Sequence, residues 1–80
     1  MEEVDRLVLK AQKNEITEYQ IYSKLSEKIN GRNKKILCEI AKDELKHYDK
    51  WKKISKKDVK PNLLRVYWRE RLLESLKRQF

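Results

Sequence analysis

Residues 4–29, VDRLVLKAQKNEITEYQIYSKLSEKI, contain neither proline nor glycine, and their apolar side chains recur at steps of three and four. That is the period of one helix face, so a single long helix, helix A, is expected over about residues 3–30. Written as heptads, Val8, Glu15, Tyr22 and Ile29 form one row and Val4, Ala11, Glu18 and Leu25 the other. Both rows belong to the seam that a bundled helix buries. Two carboxylates, Glu15 and Glu18, therefore stand where a bundle ordinarily places leucine or isoleucine. Leu9, Ile16 and Tyr19 on one flank, with Leu7 and Ile21 on the other, widen the apolar surface. Helix A should touch more than one neighbour.

Asn30-Gly31-Arg32-Asn33 is the punctuation after it. Gly31 can take the left-handed backbone that ends a helix, and Asn33 is the expected N-cap of the next one. Helix B is expected over about residues 34–55, with seam rows Leu37, Glu44, Trp51 and Ile40, His47, Ile54. Its apolar repeat breaks at one adjacent pair, Glu44 and His47. A short turn between long helices makes an antiparallel hairpin, and at ~1.5 Å per residue the two interruptions come level. The hairpin occupies residues 1–57 in this reading. Pro61 suits a first helical turn, so a third, basic amphipathic helix is expected within residues 58–80. Leu64, Trp68, Leu72 and Leu76, supported by Leu63, Tyr67, Leu73 and Phe80, form its expected packing face. Arg65, Arg69, Arg71, Lys77 and Arg78 are placed on its other side.

The fold class is thus all-α. An 80-residue chain has a marginal core unless a metal, a disulfide or a second subunit adds to it. One cysteine, Cys38, excludes an intrachain disulfide and a thiolate metal cluster, and is read as inert. No run approaches the ~20 apolar residues of a membrane span. A reducing, cytoplasmic setting is the expectation. Twenty-one Lys and Arg against 13 Asp and Glu give a net charge of +8, a field that attracts polyanions or anionic surfaces without choosing between them.

Isolated carboxylates and an imidazole in a helical core are costly, by several kcal/mol for a buried unpaired ion, and a bound cation reverses that balance. Oxygen and imidazole donors without thiolate suit iron, manganese or zinc. One chain holds too few of them for two metals. A two-fold axis doubles the hairpin into four helices and doubles the donors.

At Asn14-Glu15-Ile16-Thr17-Glu18-Tyr19-Gln20-Ile21-Tyr22 and Cys38-Glu39-Ile40-Ala41-Lys42-Asp43-Glu44-Leu45-Lys46-His47-Tyr48 the chain resembles the first half of a ferritin-like rubrerythrin domain. More narrowly it is similar to those domains that precede a membrane iron-transporter-like domain. The resemblance covers roughly residues 5–55 closely. It implies a homodimer closing a four-helix bundle around a dinuclear iron centre, with manganese as the second candidate metal. It implies Glu15 as the helix A ligand, Glu44 as the bridging carboxylate, His47 as the terminal imidazole and Glu18 as an extra carboxylate. Tyr22 would donate a hydrogen bond to a ligating glutamate, and Trp51 would pack below the site. The implied chemistry is oxidation of ferrous iron by dioxygen or peroxide. The chain departs from the family in carrying one half rather than two, and in lacking the Cys-x-x-Cys pairs of a rubredoxin module. The alternative is a metal-free basic helical module that binds nucleic acid or a protein. The third helix is also the candidate for contact with a membrane surface.

Overall fold

The computed structural model describes residues 2–79, with side chains for residues 2–75; Leu76, Lys77, Arg78 and Phe80 of the expected third helix lie outside the described side chains. Three helices account for it: α1 (Glu2–Glu27), α2 (Arg32–Ser55) and α3 (Leu63–Gln79). Glu2, Glu3 and Asp5 occupy the first turn of α1, where negative charge offsets the helix dipole. Gly31 has φ +80°, a conformation that side chains rarely adopt, and it stands immediately before α2. The N-cap expected at Asn33 is therefore corrected. The helix starts at Arg32 with no side-chain cap, and Asn33 lies inside its first turn. A glycine at the cap position gives the backbone its turn without a capping oxygen. At the far end Lys56 is left-handed (φ 60°, ψ 27°), and its N–H closes the helix on the Lys52 carbonyl at 2.7 Å.

The connection from α2 to α3 is strapped to the hairpin by buried polar groups. Gln12 is 0% exposed; its Nε2 donates to the Lys57 carbonyl (2.7 Å), and its Oε1 accepts from the Ser55 hydroxyl (2.6 Å). Thr17, also 0% exposed, accepts the Asn62 N–H at 2.9 Å, and the Tyr48 hydroxyl accepts the Val59 N–H at 3.2 Å. Asn62 then caps α3 by accepting the Arg65 N–H at 3.2 Å. Replacing Gln12 by leucine keeps the volume but removes the Nε2 donor from the Lys57 carbonyl and the Oε1 acceptor from the Ser55 hydroxyl. A loss of about 1–3 kcal/mol in urea unfolding is expected.

α3 packs on α1, and Val66 joins Ile21 and Leu25 in a small core that Tyr22, Leu37 and Leu73 border. Lys28 pairs with Glu70 (2.9 Å) and with Glu74, while Arg65 donates to Asn14 at 3.1 Å. Among the described residues the backbone of α3 lies close to α1 and not to α2, and Leu37 of α2 reaches the shared cluster through its side chain. The radius of gyration, 14.3 Å, exceeds the ~12 Å of a compact chain this long.

The expected packing face of the third helix is corrected as well. Leu64, Trp68 and Leu72 are exposed (70%, 64% and 57%), while Val66, on the opposite side, is the residue buried against α1. The sequence places apolar groups on both faces of α3, and its period alone does not say which face meets α1.

Candidate metal centre

The antiparallel pairing of α1 with α2 brings Glu15 of the first helix beside Glu44 and His47 of the second. One ligand atom from each of the three lies within 4.8 Å of the other two. The His47 Nδ1 and Glu15 Oε2 atoms are 3.3 Å apart. Glu44 and His47 are three positions apart, so both project from one side of α2, a single turn apart. Glu18, also an expected ligand, is half-buried and stands outside this three-residue group. Its charge still reaches Glu44, as one of the influences acting on that carboxyl.

Crowding of the carboxyls shows in the protonation of Glu44, which is pushed up from 4.5 to about 7. A hydrogen bond with Glu15 is the largest cause, followed by burial and by the Glu15 charge; His47 acts in the opposite sense. Two carboxyls thus meet with only one imidazole to balance them, and a proton on Glu44 relieves the repulsion. A cation placed among the same atoms does so too. The donor set, two oxygen ligands and one imidazole without a thiolate, fits iron or manganese. Cys38, half-buried, does not belong to the group.

The second seam row is uneven in the folded chain: Leu25 is buried and Ala11, Glu18 and Ile40 are half-buried, while Val4, His47 and Ile54 are open. Glu15 and Tyr22 on α1, with Leu37, Glu44 and Trp51 on α2, are all half-buried. In the second row Val4 is 56% exposed and Ile54 63%, with the His47 side chain at 49%. Leu7 (63%) and Ile36 (46%) fall on that same open stripe by helical position. The candidate centre therefore lies at the edge of the hairpin, with the Glu15 side chain 24% exposed and His47 opening outward. Tyr22, expected beside a ligating glutamate, has its ring against the Ile21, Leu25 and Val66 cluster. Trp51 is half-buried one turn beyond His47.

Sequence reasoning missed the residues that hold this arrangement in place. Gln12, Thr17, Tyr48 and Ser55 fix the connection and thereby the relative position of the helices. Gln12 and Thr17 lie off the apolar period, and a polar residue there reads as solvated until its partner, distant in sequence, is known. No protein-family model, curated protein or solved structure matches this chain, so the reading of its function rests on the geometry of Glu15, Glu44 and His47.

Proposed function

We propose that the chain is a ferritin-like half-domain: two copies join along the open stripe, and their Glu15, Glu44 and His47 side chains together hold a dinuclear iron centre. The convergence of these three donors from two helices within 4.8 Å is the observation that carries the reading. Supporting it is the exposure of Val4, Leu7, Ile36 and Ile54 along the stripe that also bears His47. An isologous interface applies one patch twice, which suits a chain whose own core is small.

Charge fits as well. Each copy supplies two carboxylates in the group, so two copies supply four, matching the four positive charges of two ferrous ions. Glu18 from each copy adds two more, the increment required when both ions lose one electron. In this reading Glu15 would be the ligand from the first helix, Glu44 the bridging carboxylate and His47 the terminal imidazole of each chain, with Glu18 an extra carboxylate available to offset added positive charge. Bound iron supplies one-electron chemistry toward dioxygen or peroxide, making the assembly a ferrous-iron oxidase. Manganese fits the same donors.

Anaerobic loading with ferrous iron tests it, with metal content and molar mass measured on one sample. About one iron per chain in a dimer is expected. Glu44→Ala and His47→Ala should lose the metal while retaining part of the dimer. Less than one iron per dimer in the wild-type protein defeats the proposal.

A further inference from the structure

We infer that the outward face of α3 is a docking surface for an anionic lipid bilayer, a binding role separate from the Glu15, Glu44 and His47 group. The inference rests on how α3 divides its residues. Its inner face, Val66 and Leu73, is satisfied by α1. Its outer face leaves Leu63 (65%), Leu64 (70%), Tyr67 (50%), Trp68 (64%) and Leu72 (57%) in water. A helix apolar on two sides is ordinarily covered on two sides, and such a contiguous patch marks an interaction surface.

Charge selects the occupant. The acidic residues of α3, Glu70 and Glu74, turn toward α1, where Lys24 and Lys28 pair with them. Arg69 and Arg71 are exposed, so the charge that flanks the apolar strip outside is positive. The Arg71 guanidinium lies 5.6 Å from the centre of the Tyr67 ring, which meets the Trp68 ring edge-on. A second copy docked face to face through α3 would bring like charges together around the strip. Nucleic acid would meet the arginines but leave the leucines in water. An anionic bilayer answers both features: acyl chains receive Leu64, Trp68 and Leu72, tyrosine and tryptophan sit at the headgroup level, and the arginines meet phosphate. No helix among the described residues is long and apolar enough to cross a membrane, so the contact is peripheral.

The test uses vesicles of phosphatidylcholine with and without 30% phosphatidylglycerol, read by flotation and by tryptophan emission. A Trp51→Phe background leaves Trp68 as the reporter. Binding to the anionic vesicles with a blue-shifted emission, weakened by salt, is expected. Trp68→Ser should reduce binding about tenfold or more, and so should the Arg69→Glu/Arg71→Glu pair. Both changes sit on exposed positions, and circular dichroism verifies that the helices remain. Equal binding to both vesicle types, or variants that bind like the parent, overturns the inference. So does a dimer that dissociates on Trp68→Ser, which assigns the face to a second copy, or binding to an RNA homopolymer without binding to vesicles. Measured against the Trp51→Phe parent, iron loading should be unchanged by the Trp68 and Arg69/Arg71 changes, so failure here is distinct from failure of the metal reading.

Discussion

Between about pH 5 and pH 8 the metal-free protein should lose stability as pH rises, while its uptake of ferrous iron should strengthen. Both slopes come from Glu44. Its folded-state value near 7 lies above the ordinary 4.5, so over the intervening range the folded chain binds more protons than the unfolded chain. Stability from that proton is fully present below about 4.5 and is lost as pH rises through about 7. The same proton competes with metal. Below pH 7 a cation must displace it from Glu44, so apparent affinity should rise by up to about tenfold per pH unit, flattening above 7.

Metal and proton are thus alternative answers to one electrostatic problem, and the loaded protein should be nearly independent of pH between about 4.5 and 7, where the metal-free one loses stability, because neither the loaded folded chain nor the unfolded chain carries the Glu44 proton there. At a free iron concentration about a hundred times the dissociation constant, linkage adds roughly 2.7 kcal/mol. For a chain of this size that corresponds to a rise in melting temperature on the order of 10–20 °C. Anaerobic thermal melts at about pH 5.5 and 8, with and without iron, check it. In Glu44→Gln the pH slope of the metal-free protein should flatten, and the iron-dependent rise should fall to a small remainder. An unchanged slope in Glu44→Gln would falsify the assignment of the shared proton to this carboxyl.

How much of this was legible in the residues follows from what a period can carry. Helix existence was readable because 3.6-residue recurrence is local, and α1, α2 and α3 stand within a few residues of their expected places. The meeting of Glu15 with Glu44 and His47 was readable too, because a short turn after Gly31 leaves an antiparallel pair one natural register. Facing was not readable. α3 has apolar groups on two sides, and the choice of Val66 over Leu64 as the buried residue depends on where the strap of residues 56–62 delivers the helix. That strap is set by Gln12, Thr17 and Tyr48, whose partners lie 45, 45 and 11 residues away in sequence. A local pattern holds no record of such partners. The same limit explains the seam rows: the heptad reading marks Val4, Ile54 and His47 as interior, and a single chain leaves them open.

Introducing a carboxylate on that open stripe should dissociate the proposed dimer while leaving the subunit folded. Leu7 and Ile54 are each 63% exposed, and the pairing of Gln12 near the start of α1 with Ser55 at the end of α2 puts both at the same end of the hairpin. Leu7→Asp or Ile54→Asp removes no buried contact of comparable size from the single chain, and surface changes of this kind usually shift subunit stability by about 0.5 kcal/mol or less. At an isologous interface each change appears twice, and each new carboxylate would be taken out of water without a partner. The cost of an unpaired buried ion is several kcal/mol, so the dimer dissociation constant should rise about a hundredfold or more. Sedimentation velocity over a concentration series measures it, with far-ultraviolet circular dichroism as the control for folding. Iron affinity should fall in the same variants although Leu7 and Ile54 are absent from the three-donor group, because the proposed dinuclear centre draws its donors from both copies. If the variants remain dimeric and bind iron like the parent, the stripe is not the interface. If they become monomeric yet bind iron undiminished, Glu15, Glu44 and His47 of one chain suffice, and the requirement for a second copy is wrong.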